Sequence, residues 1–235
     1  MKFYKIIIVG LLFIASCNKE TTRMNNYLIH GIDVSHHQSY INWEEVSKND
    51  IHFAFLKATE GVSLVDSLYC ENWEELSNTI LKKGAYHFFR PTVPAQQQFE
   101  NFSMMVHLDF GDLPPVLDIE VSDGVKKEEL VNNCKKWLQL VENKYQVRPI
   151  IYTNLKFYHK YLAGHFAQYP IWIARYNDKL PELDKGKNWD FWQYGNRGKM
   201  KGIEGYVDFN VFNGTYENLE SLCKQDLSVK TLSIR

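Results

Sequence analysis

Two carboxylates lie two residues apart at the end of an apolar run in the middle of the chain. The run is LPPVLDIE, residues 113–120, and the acids are Asp118 and Glu120. Side chains alternate between the two faces of a β-strand, so a strand here places both acids on one face. Buried acids cost free energy unless they are paired, hydrogen-bonded or functional. A pair of carboxylates in a cleft is also what hydrolysis of a glycosidic bond requires.

Further acids, aromatic rings and an amide follow the ends of other predicted strands. The acids are Asp33 in GIDVSHHQ and Asp208 in YVDFN. Aromatic rings suit the apolar faces of sugars, and polar side chains suit their hydroxyl groups. On this basis the candidate substrate-binding residues are Tyr86, Tyr152, Trp172, Trp192 and Gln193. We expect these side chains to form a glycan groove that needs no metal and no cofactor.

The same residues also have purely structural interpretations. Asp118 and Glu120 can form ion pairs with Lys57 or Arg175. A single aspartate such as Asp33 is often a helix cap or a turn former. Two of the aromatic side chains can equally belong to the core: Tyr86 and Trp172.

The elements that carry these residues alternate between strand-like and helix-like segments. Strands are predicted at residues 29–34, 52–58, 85–89, 116–120 and 150–153, each an apolar run. Helices are predicted between and after them at 43–48, 67–83, 95–108, 126–145 and 156–161, and Gly84 is expected to end the second helix. The alternation then stops, and three strands follow at 171–174, 190–194 and 207–212 with polar or glycine-rich connections. Five β/α units followed by three strands favour an α/β fold, an irregular TIM-like barrel that helices cover only in part.

Composition agrees with one globular domain of this size. Hydrophobic residues make up 45% of the chain and charged residues 23%, and the formal net charge is −1. That is enough apolar material for a sizeable core. No basic run or face suggests nucleic-acid binding, so we expect no nucleic-acid partner. We expect a monomer.

The first 17 residues have the pattern of an export signal. Lys2 and Lys5 precede an apolar run, residues 6–14, which is too short for a membrane span. The sequence IASC at residues 14–17 resembles a bacterial lipobox, which implies cleavage before Cys17 and lipidation of its thiol. An ordinary secretory signal is the alternative. Asn18 rather than Asp follows the cysteine, which favours the outer membrane and leaves its periplasmic or surface side open.

These patterns divide the chain into four parts. They are a signal peptide (1–17), a polar tether (18–27), the barrel (28–223) and a C-terminal tail (224–235). After lipidation of Cys17, an odd number of cysteines remains, so they cannot all pair within the chain. Cys70 and Cys134 fall in helix-like segments and are expected to be small buried residues, and Cys223 completes the set.

Eight short motifs occur in one order between residues 31 and 212. They are GIDVSHHQ, FAFLKATEG, GAYHFF, PPVLDIE, IYTN, WIARY, WQY and YVDFNVF. In identity and order they resemble glycoside hydrolase family 25, the lysozymes (N-acetylmuramidases) related to the Chalaropsis enzyme and to many phage endolysins. Each motif alone is modest, whereas all of them in order are specific. The resemblance implies the same irregular barrel.

The resemblance also implies a reaction and a role for each acid. Glu120 would be the general acid/base, and Asp118 would orient the 2-acetamido group of the substrate. Asp33 and Asp208 would help to bind and position the sugar. The substrate would be the glycan strand of peptidoglycan, cleaved at the β-1,4 bond between N-acetylmuramic acid and N-acetylglucosamine. Retention of configuration is expected, with the acetamide oxygen of the substrate as nucleophile.

Two other functions remain open from the sequence. A metal-dependent polysaccharide deacetylase would use one aspartate and two histidines, and His36 and His37 lie near Asp33. Adjacent histidines at a strand end do not easily face one ion. A glycan-binding lipoprotein on an inactive barrel is the non-enzymatic alternative, and retention of all four acids argues against it.

Overall fold

The computed structural model describes residues 19–177, 179–184 and 186–226. The predicted signal peptide with Cys17, and residues 227–235 of the predicted tail, lie outside the described residues. Within those ranges, eight strands close into a barrel and a short ninth strand extends it on one side. The predicted irregular barrel of five β/α units followed by three strands is confirmed.

The strands follow the predicted order with one addition, the short β3. Their bounds are β1 Ile29–Val34, β2 Phe53–Glu60, β3 Leu64–Val65, β4 Lys82–Phe88, β5 Val116–Asp118, β6 Ile150–Asn154, β7 Ile171–Ala174, β8 Phe191–Gly198 and β9 Val207–Phe212. The short β3 is antiparallel to β2, and the other neighbouring strands from β1 through β8 pair in parallel. The last strand, β9, is antiparallel to both β8 and β1. Because β1 also pairs with β2, the sheet closes on itself.

Helices occupy the connections of the first five units and the C-terminal end. Their bounds are α1 Trp43–Ser47, α2 Tyr69–Ser77, α3 Ala95–Met105, α4 Lys127–Tyr145, α5 Leu155–Phe157 and α6 Tyr216–Leu222. A π-helical turn, Tyr158–Leu162, continues α5. In the long α4, the buried side chains recur at helical spacing and include Trp137 and Leu138, as the sequence pattern predicts. No helix of the described residues is long and apolar enough to cross a membrane.

Alternation along the strands sorts their side chains into two apolar clusters. One cluster fills the barrel interior and contains Val116, and the other lies between the barrel and its helices and contains Leu117 and Ile119. The strand-by-strand alternation predicted for LPPVLDIE is thus confirmed. Asp118, two residues after Val116, faces the same way as that interior side chain.

Two local expectations were wrong, and one helix was missed. Gly84 does not end a helix, because α2 stops at Ser77 and Gly84 lies within β4. A β-carbon at Gly84 would lie 2.5 Å from the Phe55 ring, so this glycine makes room inside the barrel. Cys70 is exposed rather than buried, whereas Cys134 and Cys223 are buried. The helix α6 was not predicted at all.

The segment before β1 lies against the barrel. We call its described part, residues 19–27, the N-terminal strap. The Thr21 amide donates to the Arg197 carbonyl at 3.0 Å, and Glu20 pairs with Lys199 at 2.7 Å. Tyr27 packs near Trp189 and Trp192 of the outer cluster. A free tether to Cys17 would therefore be restricted to the residues that precede the strap.

Candidate active site

A cavity of about 220 Å³ opens at the carboxyl ends of the parallel strands. Its walls bring together all four predicted acids and four of the five predicted substrate-binding residues. The full lining is Asp33, Lys57, Tyr86, Phe88, Asp118, Glu120, Tyr152, Trp172, Tyr176, Gln193 and Asp208. This end of a β/α barrel is where catalytic residues of such folds lie.

Strand register explains how acids far apart in sequence meet. Asp33 near the end of β1 lies directly opposite Asp208 at the start of β9. Because β9 is antiparallel, its beginning reaches the same rim as the ends of its neighbours. Asp118 ends β5, and Glu120 follows two residues later, held in line by the bond from the Ile119 amide to the Tyr152 carbonyl, 3.0 Å.

The Asp33 carboxylate is buried, and one of its oxygens accepts two hydrogen bonds. Its Oδ1 accepts from Gln193 Nε2 at 2.9 Å and from Asn210 Nδ2 at 2.7 Å. Burial raises the pKa of Asp33 to about 6, although these two hydrogen bonds act in the lowering direction. Asp33 is thus held by amide donors and is not a helix cap.

Asp208 and Asp118 receive fewer hydrogen bonds than Asp33 from the described residues. Burial, with the Asp33 charge next in importance, raises the pKa of Asp208 to about 8. Burial also raises the pKa of Asp118 well above its usual range, and the neighbouring Glu120 charge adds to this. One oxygen of Asp118, Oδ1, is buried without a hydrogen-bond partner among the described residues. An acceptor of this kind suits a donor supplied by a ligand.

Glu120 is more exposed than Asp118. Burial raises its pKa, and a hydrogen bond from the Asn154 side chain opposes that rise. Asn154 uses its Oδ1 to accept from the Phe157 amide at 2.9 Å, so its NH₂ group is left to donate to Glu120. Burial thus shifts the pKa of Glu120 in the direction that a general acid requires.

The ion pairs considered from the sequence do not form. Lys57 Nζ pairs with Glu60 at 2.7 Å, and Arg175 donates to the Asn177 side chain and to the Leu180 carbonyl. Asp118 and Glu120 are thus left without a salt bridge within the described ranges. Their burial is not explained by a structural ion pair.

Comparison with known proteins assigns the fold and the site to a family. Residues 32–203 match the sequence model of glycosyl hydrolases family 25. The chain belongs to this family. It is 46% identical over 201 residues to the uncharacterized protein YegX of Escherichia coli strain K12, covering 83% of this chain and 74% of that protein.

Two further relatives agree with the family assignment. Lysozyme M1 of Streptomyces globisporus is 32% identical over 208 residues, 83% of this chain and 71% of the relative. The solved structure of a family 25 glycosyl hydrolase from Bacillus anthracis superposes with a TM-score of 0.82 at 34% identity, covering 88% of this chain and 98% of that one. The predicted family is confirmed, and the protein is a glycoside hydrolase.

One predicted substrate-binding residue of this family 25 barrel is misplaced. Trp192 is buried in the outer cluster, and its Nε1 donates to the Arg175 carbonyl at 2.9 Å. It precedes Gln193, which faces the cavity, and neighbouring residues of a strand face opposite sides. Trp192 is therefore a core residue, and only Gln193 of this pair reaches the cavity.

The other aromatic residues serve both the core and the cavity. Trp172 stacks on Phe55 with ring centroids 4.7 Å apart and also lines the cavity floor. Tyr176, which the sequence did not single out, lines the cavity as well, and its hydroxyl donates to Gln193 Oε1 at 2.7 Å. Its position at the end of WIARY, just past β7, was the available signal.

The histidines considered for a deacetylase have another partner. His36 Nδ1 lies 2.6 Å from Asp66 Oδ2, and the same oxygen accepts from the His36 amide at 3.1 Å. Across residues 19–177, 179–184 and 186–226, no group of three or more His, Cys, Asp or Glu side chains is arranged to hold a metal ion. The geometry gives the deacetylase interpretation no support.

Proposed function

We propose that this protein is a lysozyme that hydrolyses peptidoglycan glycan strands. The bond cleaved is the β-1,4 bond between N-acetylmuramic acid and N-acetylglucosamine. The observation that carries the proposal is the pairing of Glu120 and Asp118 in one cavity, where neither forms a salt bridge with any described residue. The names of relatives such as Lysozyme M1 support the choice of substrate.

In this proposal Glu120 is the general acid and then the general base. It donates its proton to the glycosidic oxygen as the bond to the anomeric carbon breaks. It later removes a proton from the water that attacks this carbon, which returns the enzyme to its starting state. Burial supports this role because it raises the pKa of Glu120, which is the direction that a general acid requires.

Asp118 would hold the nucleophile that the substrate itself provides. Its unpartnered Oδ1 is an acceptor suited to the N–H of the 2-acetamido group. Accepting that hydrogen would orient the acetamide oxygen for attack on the anomeric carbon and stabilise the positive charge that develops on the group. Two displacements at one carbon give net retention, and no enzyme carboxylate has to reach that carbon.

Glu120→Gln tests the assignment of the general acid. The amide cannot donate a proton in this way, so we expect a loss of peptidoglycan hydrolysis of ~10²–10⁴-fold with an unchanged fold. Turbidity clearing of purified cell walls measures the loss, and mass spectrometry of the wild-type products identifies the bond. Wild-type rates in the variant would refute the role of Glu120. Binding of muropeptides by the wild type without new reducing ends would instead indicate an inactive, glycan-binding barrel.

We also propose that the enzyme is exported and anchored to the cell envelope, in the outer membrane, through a lipid on Cys17. The lipobox-like sequence IASC supports this location. Labelling of cells with a radioactive fatty acid should mark the wild type and leave Cys17→Ala unlabelled. Equal labelling of both proteins would contradict the anchor.

A further inference from the structure

Asp33 and Asp208 form a close pair whose members have unequal surroundings. They lie directly opposite each other on the antiparallel strands β1 and β9. Opposed residues of such strands have their β-carbons ~4.5–5.5 Å apart and face the same side. Asp33 is buried and Asp208 is partly buried, and two carboxyl groups so close together disfavour ionisation of both.

Hydrogen bonding decides which of the two carries the charge. Two N–H donors converge on Asp33, from Gln193 and Asn210. No side-chain hydrogen bond to Asp208 is found in residues 19–177, 179–184 and 186–226. Because N–H donors stabilise the ionised form of a carboxyl group, they favour charge on Asp33 and leave the proton to Asp208.

The side-chain amides of Gln193 and Asn210 cannot be rotated by 180° without losing hydrogen bonds. Gln193 Oε1 accepts from the hydroxyl groups of Tyr152 and Tyr176, each at 2.7 Å. Asn210 Oδ1 accepts from Trp172 Nε1 at 2.8 Å. Since tyrosine hydroxyl and indole groups donate here, the amide oxygens are committed to them and the NH₂ groups must face Asp33.

We propose that Asp33 and Asp208 act as a donor–acceptor pair, in which Asp33 is the ionised acceptor and Asp208 the protonated donor. Gln193 and Asn210 are the positioning residues that fix this choice. Both of their hydrogen bonds end on Oδ1, so Oδ2 of Asp33 remains available. A sugar hydroxyl both donates and accepts, and one hydroxyl group fits such a pair.

The other charged and titratable groups around the cavity do not reverse this choice. They are Lys57 of β2, Tyr86 of β4, Asp118 of β5, Glu120 just after β5, Tyr152 of β6 and Tyr176 after β7. The Glu120 charge raises the pKa of both Asp33 and Asp208. The nearby cation, Lys57, is engaged by Glu60. Burial takes the pKa of Asp208 to about 8, above the value of about 6 for Asp33, in agreement with the hydrogen bonds.

Carbon NMR of protein with isotope-labelled aspartate tests the pair without any substrate. The signal lost in Asp208→Asn should lie, at neutral pH, at the position of a protonated carboxyl group. The signal lost in Asp33→Asn should lie at the position of a carboxylate. The reverse assignment, or two ionised groups, would overturn the proposal, and apparent midpoints would be read as properties of the pair.

Kinetics provide the second test, which rests on the proposed function. The Asp208→Asn variant keeps an N–H donor, so we expect a loss in kcat/KM of about tenfold or less. The Asp33→Asn variant places a donor where the acceptor stood, and we expect a loss in kcat/KM of ~10²-fold or more. Equal losses, or a milder loss in Asp33→Asn, would refute the pair. If the wild type released no reducing ends, the proposed function would fail while the NMR result still decided the proton's location.

Discussion

Asp118 shows how a single residue can lower stability for the benefit of a site. Its carboxyl group is buried, one oxygen has no hydrogen-bond partner in the described part of the chain, and burial raises its pKa well above the usual range. The unfolded chain releases the proton more readily than the folded one. The folded protein therefore carries no penalty from Asp118 below the pKa that this group has in the unfolded chain. As the pH rises above that value toward the raised pKa of the folded state, Asp118 progressively lowers the free energy of unfolding.

Asp118→Asn should increase stability while it decreases activity. Asparagine carries no ionisable proton, so we expect a gain in unfolding free energy at pH 7, on the order of 0.5–2 kcal/mol as for other stabilising substitutions, and little gain at pH 4. Denaturant unfolding at both pH values measures the difference, and peptidoglycan hydrolysis measures the cost. Asp109→Asn, at an exposed position, is the control. A variant equally stable to wild type at both pH values would contradict the account.

Residue identity and strand alternation predicted most of the residues of the candidate site, but they could not predict the distances between them. The four acids and Tyr86, Tyr152, Trp172 and Gln193 were predicted from their places near strand ends, and the structure brings them to one cavity. Trp192 could have been excluded, because it and Gln193 are adjacent on one strand. The hydrogen bonds that hold Asp33 depend on the closure of β1 on β9, which the chain order does not reveal.

At the scale of elements, β4 illustrates a boundary that the sequence misplaces. The apolar spacing of residues 67–83 predicts one long helix, yet α2 ends at Ser77 and β4 begins at Lys82. From the sequence alone, Gly84 resembles the glycine that ends a helix, because the ring that packs against it is not known. Its function in β4 is to admit the Phe55 ring, a contact between two strands far apart in sequence.

Gly84→Ala should destabilise the barrel through this contact. The new methyl group would lie 2.5 Å from Phe55 and 3.0 Å from Leu113, and overpacking of this kind costs about 1–3 kcal/mol. Gly124→Ala is the comparison, because that glycine has φ +81 and nothing within 4 Å. It measures backbone strain alone. Thermal unfolding of both variants decides, and an unchanged midpoint for Gly84→Ala would contradict the steric role.

At the scale of the whole molecule, the N-terminal strap extends the barrel beyond the strands. The polar sequence of residues 18–27 predicts a tether. In the structure, however, Met24 and Tyr27 pack against the outer cluster, which composition alone does not reveal. Adjacent residues differ sharply here, because Tyr27 is partly buried whereas Leu28 is 76% exposed. The alternation suggests that the strap contributes to the fold.

Tyr27→Ala should therefore lower the free energy of unfolding, and Leu28→Ala should not. Loss of the Tyr27 ring beside Trp189 and Trp192 removes buried apolar area and aromatic contacts, which we expect to cost about 1–3 kcal/mol. Chemical denaturation of both variants, each produced from residue 18 onward, measures the difference. Equal stability of the two would indicate that the strap adds nothing to the barrel.

His87 lies between the barrel and its helical layer, and its protonation affects the stability of the fold. This histidine is fully buried, lies 2.7 Å from Thr59 Oγ1 and 3.1 Å from Gln98 Oε1, and stacks on Trp137 of α4. Burial lowers its pKa to about 4. The neutral ring is therefore the form that the folded protein contains, and the unfolded chain binds a proton more readily as pH falls below 6.5.

His87 and the cavity acids thus oppose each other below neutral pH. Acidification relieves the buried aspartates, whereas the His87 contribution is present above pH 6.5 and is lost toward pH 4. Comparing wild type with His87→Gln isolates the histidine, because glutamine does not titrate and the acids are common to both proteins. The stability advantage of wild type should shrink by roughly 2–3 kcal/mol between pH 7 and pH 4. The exposed His107→Gln is the control, and an advantage that did not change with pH would show that His87 does not titrate with folding.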